Sequence, residues 1–308
     1  MKFAAIDIGS NAARLQISSV LENDGIISFK RIEYVRFALR LGHDVFSSGV
    51  ISPESEVRIF KLMHAYQLLM DLHEVKDYAI CATSAMREAA NSSDIVTRIH
   101  KILDMKIQII EGNREAELIN DVVVQSLHPK KNYLHIDVGG GSTELNIYHN
   151  REKLASKSFK IGSVRLLEGK EKMGDWEKMN NWISHQKLLI DGPITAVGTG
   201  GNINKLYNIS DQVSENKVMS VEELQKVSDY VASFSYEERV HKLRLNTDRA
   251  DVIVPAASIY LAAMQAAECQ EIFVPDLGLK DGMIQMLYDR YSKKRNVAPP
   301  GIEPGSNV

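Results

Sequence analysis

The sequence predicts an α/β protein of two related halves, each a mixed sheet flanked by helices, with a ligand cleft between them. Three observations predict it. First, two apolar runs about 130 residues apart each end in an acid followed by glycine: Phe3-Ala4-Ala5-Ile6 leads into Asp7-Ile8-Gly9-Ser10-Asn11, and Leu134-His135-Ile136 leads into Asp137-Val138-Gly139-Gly140-Gly141-Ser142-Thr143-Glu144. A buried strand that delivers a carboxylate, then glycines whose N–H groups turn inward, suits an anion and a metal. Second, a further glycine turn, Gly198-Thr199-Gly200-Gly201, follows the apolar run Ile194-Thr195-Ala196-Val197. Third, 308 residues exceed what one core usually holds. The repeated Asp–Gly pattern carries most of the weight.

Residues 2–7 and 14–20 read as strands around the first loop, and Asn23-Asp24-Gly25 as a hairpin turn into a third strand near 26–36. Ser52 before Pro53 and Glu54 marks a helix start, with an apolar pattern to about residue 73. A strand at 78–82, a helix at 92–103 and a strand at 107–110 follow, and Asn113 is a cap for a helix over 114–127. The polar stretch His128-Pro129-Lys130-Lys131-Asn132 is the expected boundary, giving halves at 1–127 and 128–293. The second half restarts with strands at 133–138, 144–149 and 153–160, the same strand–loop–strand–turn–strand order, which reads as an internal duplication. Ser220/Glu223 and Ser235/Glu238 match capping boxes. An Ala-rich helix near 250–267, a strand at 272–274 and a helix over 279–293, free to pack on either half, complete the plan. The tail 294–308 is expected to be disordered.

Hydrophobic content of 44% with 25% charged residues is ordinary for a globular protein. A net charge of -3 argues against a general nucleic-acid binder, so no nucleic acid is expected as partner. No membrane span and no signal peptide are read, and Cys81 and Cys269 both sit in apolar runs as reduced thiols, so a cytoplasmic location is expected. His43-Asp44 looks like a metal-hydrolase dipeptide, but it lies in an expected loop without partner ligands. The other histidines lack zinc spacing. Trp176 and Trp182 fit packing on one helix.

Several blocks together resemble the exopolyphosphatase/guanosine-pentaphosphate phosphatase family. They are Asp7 to Asn11, Ala82-Thr83-Ser84-Ala85-Met86-Arg87-Glu88-Ala89, Glu111-Gly112-Asn113-Arg114-Glu115-Ala116, Asp137 to Glu144, Gly162-Ser163-Val164-Arg165-Leu166, Gly198 to Gly201 and Arg249-Ala250-Asp251-Val252-Ile253. They occur in the family's order from residue 3 to about 293. The resemblance implies two ribonuclease-H-like domains of the actin-like ATPase superfamily around a cleft. Departures exist: Ala12 stands where members carry Ser, Glu111-Gly112 where they carry Ser-Gly, and Arg114 where a Glu is common. The extra C-terminal region of longer members is not seen.

Phosphoanhydride hydrolysis needs an oriented water, an in-line leaving group and neutralised phosphoryl charge. Glu115 aligns with the family's catalytic Glu and is the expected base. An isolated Glu there would read as a helix-end acid favoured by the macrodipole, and Glu111 and Glu117 are the local competitors. Asp137 and Glu144 are the expected carboxylates for Mg²⁺ or another divalent cation. Asp7 orients water or holds a metal water, with a loop cap as its alternative. Arg87 is assigned to phosphate at the reaction centre, against an ion pair with Glu88. The expected phosphate contacts are Gly9, Ser10, Asn11, Arg14, Gly139, Gly140, Gly141, Ser142, Thr143, Arg165, Gly198, Thr199, Gly200 and Gly201, with Lys205 in support.

The expected activity is release of terminal phosphate from inorganic polyphosphate. The alternative is guanosine pentaphosphate 5'-phosphohydrolysis; more remote are an actin-like ATPase or kinase, or a non-enzymatic phosphate sensor. A homodimer is expected. Few basic residues flank the cleft blocks in the sequence and the net charge is negative, so short polyphosphates are the expected preference.

Overall fold

The computed structural model describes residues 1–297, with side chains to residue 293. Strands β1 (Lys2–Ile8), β2 (Ala13–Asn23) and β3 (Ile26–Phe37) form an antiparallel meander, turned at Asp24-Gly25 by two left-handed residues. Helix α1 (Leu41–Ser48) replaces the loop expected around His43-Asp44. Helix α2 (Pro53–Leu72) begins where Ser52 Oγ accepts from the Ser55 N–H. Then come β4 (Asp77–Ala82), α3 (Ser84–Glu88), α4 (Ser92–Leu103), β5 (Ile107–Ile109) and α5 (Gly112–Ser126). Asn113 is not the cap of α5. Glu111 holds that position in extended conformation, with Asn113 already inside the first turn.

The second half runs β6 (Asn132–Val138), β7 (Thr143–His149), β8 (Glu152–Phe159), α6 (Ser163–Leu167), α7 (Met173–Lys187), β9 (Ile194–Thr199) and α8 (Gly201–Ile209). It continues through β10 (Val218–Ser220), α9 (Val221–Ala232), α10 (Tyr236–His241), α11 (Thr247–Ala250), α12 (Ile253–Ala266), β11 (Glu271–Phe273) and α13 (Leu279–Val297). Ser235 and Glu238 form the reciprocal capping box. At Ser220 only half of it forms, because the Glu223 carboxylate accepts from the Asp211 N–H instead. Of the expected tail, the backbone of 294–297 continues α13; the rest lies outside the described residues.

The sheet orders are β3-β2-β1-β4-β5 and β8-β7-β6-β9-β11-β10, so the second repeats the first with one added edge strand. The repeat extends to register. Asp7 faces Arg14 across β1–β2, and Asp137 faces Glu144 across β6–β7, at the same residue offset. Each outer strand pair carries a bulge at the matching place, between Ile17 and Ser18 and between Ile147 and Tyr148.

Each half has its own core, and a third core joins them. Phe3, Ala5 and Cys81 of the first sheet meet Tyr133, Tyr148 and Val197 of the second, with Leu118 and Ile119 of α5 and Leu279, Met283 and Leu287 of α13 between. Each fully buried side chain of this size contributes about 1.5–3 kcal/mol, so the halves are joined by packing and not by a linker alone. Helix α13, left open in the sequence reading, packs on α5 and on strands β1 and β4. At the α5–α13 crossing, a Cβ on Gly282 would overlap the Leu118 carbonyl, so the backbones touch. Trp176 and Trp182 pack against the second core, Trp182 edge-on to Phe159 at 5.8 Å.

Candidate active site

A groove of about 280 Å³ runs between the halves, with Asp7, Glu115 and Asp137 at one end. Its two glycine loops approach closely. A Cβ on Gly140 would stand 2.8 Å from the Ser10 Cβ, and one on Gly162 would stand 2.5 Å from Gly140 backbone. Glycine here serves contact between the halves as much as contact with an anion.

Acids from four elements gather here; Asp7, Glu115 and Asp137 line the groove, while Glu144 is buried beside them and, like Arg87, is not part of the lining. Asp7, at the tip of β1, accepts from Arg14 Nη1 at 2.9 Å. Asp137, at the tip of β6, lines the groove beside Gly200. Glu144 opens β7; its Oε1 accepts from Ser142 Oγ at 2.7 Å and Ser158 Oγ at 2.9 Å. Glu115 comes from the first turn of α5, whose Gly112 packs directly on Ser158 and the Glu144 carboxylate. The Glu115 Oε2 atom is buried and has no hydrogen-bond partner. Glu117 points away, pairing with Arg114 at 2.9 Å.

Burial and mutual repulsion shift all three inner acids upward. Burial first, then Glu144, Asp137 and Asp7, push Glu115 well above the usual carboxylate range, while Arg87 pulls it down. Burial, opposed first by the Thr199 hydrogen bond, pushes Asp137 up to about 6. Burial, then Asp137, pushes Glu144 up to about 7 against the two serine hydroxyls. Arg87 holds its place by donating to the Ile110 carbonyl at 2.5 Å, and its Nε lies 3.7 Å from Glu111. It is not paired with Glu88.

Among the described residues no three His, Cys, Asp or Glu converge into a protein cage for a metal. The donors nevertheless fit a hard divalent cation. Mg²⁺ takes one or two carboxylates and completes its shell with waters and phosphate oxygens. Asp137 and Glu144 face each other across one ladder rung, and the unshared Glu115 oxygen adds to an acid excess that burial makes costly without a counter-charge.

The expected phosphate contacts divide into two sets. Gly9, Ser10, Asn11, Arg14, Gly139, Gly140, Gly200, Gly201 and Lys205 line the groove. The remainder are used by the fold. Thr143 Oγ1 donates to the Ile161 carbonyl at 2.6 Å, and Ser142 holds Glu144. Thr199 is fully buried beside His135. Gly198 is inside β9, where a Cβ would stand 2.7 Å from Ile272. Gly141 packs against Phe46 and Ser84. Arg165 is buried under that loop, donating to the Gly141 carbonyl at 2.8 Å and to Glu88 at 2.6 Å, with Phe46 beneath its guanidinium. These residues do not line the groove, and their side chains or Cα faces are engaged in packing.

Sequence reasoning missed the basic wall. Arg31, Tyr34 and Arg36 of β3, Arg249 of α11 and Lys280 of α13 line the groove with Arg14 and Lys205. The expectation of few cations around the cleft is therefore overturned. Arg36 pairs with the buried Asp248, to which Asn11 also donates, so the wall is tied across the halves. Arg249 sits beside Gly201; burial, then Arg36 and Arg14, lower it to about 10. Only the quoted Arg249-Ala250-Asp251 block offered a signal for any of them.

The profile of the Ppx/GppA phosphatase family matches residues 20–291. The chain belongs to the Ppx/GppA phosphatase family. A guanosine-5'-triphosphate,3'-diphosphate pyrophosphatase of Photobacterium profundum is 25% identical over 305 residues, covering 96% of this chain and 60% of the relative. This Ppx/GppA chain thus spans about three-fifths of that relative's length. A Ppx/GppA family member from Aquifex aeolicus superposes with a TM-score of 0.72 at 26% identity, covering 96% of this chain and 98% of that one. An exopolyphosphatase from Cytophaga hutchinsonii shares the fold with a TM-score of 0.80 at 24% identity, over 94% and 98% of the two chains. The expected α/β, two-sheet actin-like fold stands.

Proposed function

We propose that this chain is a divalent-cation-dependent phosphohydrolase that releases terminal phosphate from inorganic polyphosphate. One observation carries the reading: Glu115 holds a buried, unshared carboxylate oxygen beside a groove that Arg14, Arg31, Arg36, Lys205, Arg249 and Lys280 also line. A linear polyanion fits the walls, and its terminal phosphoryl group then meets a base. Glu115 takes the proton of the attacking water, and Asp7, held by Arg14, orients that water. Arg87 offers its charge to the phosphoryl oxygens, while Arg14 and Lys205 hold the chain. Asp137 and Glu144 would hold Mg²⁺, which when bound lends charge neutralisation to the phosphoryl oxygens. Release of phosphate assayed side by side on polyphosphate, guanosine pentaphosphate and ATP tests the reading; turnover of ATP alone would overturn it.

Guanosine pentaphosphate is the second reading. The names of the curated relatives, among them that from Photobacterium profundum, favour it. The same water and base serve both substrates. A cytoplasmic site of action agrees with two buried, unpaired thiols, and no helix among the described residues is long and apolar enough to cross a membrane.

A further inference from the structure

The acids on the groove walls fall in two places. Asp7, Glu115 and Asp137 share the reaction end, and the fourth is Asp276. Asp276 stands between β11 and α13 in a left-handed conformation, φ 58. Its Oδ1 accepts from Asn204 Nδ2 at 2.6 Å, and its Oδ2 lies 3.9 Å from Arg31 Nη2. Asn204 belongs to α8, on the second-half wall; Arg31 belongs to β3, on the first-half wall. The pair therefore joins the walls across the groove.

Arg31 reaches that position because of the β3 bulge. Glu33 pairs with Ile17 and Arg31 with Ser18, leaving Ile32 as the extra residue. Side-chain direction alternates along a strand, so one extra residue moves Arg31 to the face of Tyr34 and Arg36. Opposite, α8 lines the groove with Gly201, Asn204, Lys205 and Asn208, the spacing of one helix face. Gly201 lies by Arg249 and Arg14; Asn204, with Asp276, is roughly 4.5 Å further along the helix axis.

We propose that the Arg31–Asp276 clasp limits substrate length, making this chain selective for short linear phosphoanhydrides. The inference rests on the hydrolase reading above. A half-exposed pair of this kind adds little stability, so the clasp is not a lock. Its effect is electrostatic: Asp276 takes up the Arg31 charge and presents a carboxylate where the basic track would continue. A chain short enough to end before Asp276 meets no such charge. A longer one must set a phosphate against that carboxylate or leave the groove.

The test compares wild type, Asp276→Asn and Asp276→Lys on tripolyphosphate and on long-chain polyphosphate. Asn tolerates the left-handed conformation, and thermal melting confirms folding. The ratio of kcat/KM for the long chain over tripolyphosphate should rise about fivefold in Asp276→Asn, the effect of removing one like charge at contact distance. It should rise further in Asp276→Lys. An unchanged ratio in both variants, with the wild type active on both substrates, overturns the clasp. No phosphate release from either substrate by the wild type would instead sink the hydrolase reading, and the clasp with it.

Discussion

The two glycine loops share backbone, register and bulge, yet their charges are inverted. Across the ladder from Asp7 stands Arg14, 2.9 Å away; across from Asp137 stands Glu144. Ala12 occupies the place of Ser142, whose hydroxyl serves Glu144, and Cys81 pairs with Asp7 as Thr199 pairs with Asp137. The first loop thus neutralises its own acid, while burial lifts Asp137 to about 6 and burial, then Asp137, lifts Glu144 to about 7. One half carries a paired acid, the other two buried acids facing each other. Duplication provided the geometry; a single reversal of sign at one rung divided the labour.

The comparison breaks most violently at Glu115, which senses both loops. Glu115→Gln keeps size and removes the proton acceptor, so kcat should fall about 10²–10⁴-fold, with substrate still bound and no rescue by Mg²⁺. Near wild-type turnover, or rescue by metal, would reduce Glu115 to a helix-end acid. Glu144→Gln acts on the acid-rich loop. Its apparent metal affinity should drop more than roughly tenfold, with activity partly restored by excess Mg²⁺. In chelator it should melt at or above the wild-type temperature, since a repulsive buried charge is gone; a lower melting point would mean the acids do not repel.

Arg14→Gln acts on the self-neutralised loop and should do the reverse. It strands the mostly buried Asp7 carboxylate, costing about 1–3 kcal/mol of stability whether or not metal is present. Denaturant melts with and without Mg²⁺ separate these two variants. The smallest effect concerns Cys81, whose thiol burial, then Asp7 and Glu115, push up from 9.0 to about 12. Native protein at pH 8 should leave it unreacted with a thiol reagent, whereas denatured chain reacts. Because the unfolded thiol loses its proton first, stability should fall as pH rises from about 9 toward 12, and Cys81→Ser should flatten that slope. Fast native labelling of Cys81 would contradict the burial.

Much of this was legible in the sequence, for identifiable reasons. The Asp–Gly strand ends and the duplicated strand order are local patterns, so the two sheets and the places of Asp7, Asp137 and Glu144 could be read directly. The short helices α1, α3 and α6 span five to eight residues, too few for a helical period to show against their glycine and serine neighbours. The basic wall was invisible because it is non-local. Arg36 finds Asp248 across 212 residues, and Arg31 turns inward only through a bulge that no propensity marks. Thr143, Gly198 and Arg165, expected at phosphate, lie off the groove lining, and their residue types suit phosphate and packing equally.

The backbone contact between Gly282 and the Leu118 carbonyl carries a temporal consequence. Helix α5 bears Glu115, and it is seated against α13, which leaves the ribosome more than a hundred residues later. Until α13 emerges and docks, the face of α5 that it covers is bare, and only the contacts of α5 with β7 and β8 seat the helix. The seat of α5 is therefore completed by contacts distant in sequence, made by α13.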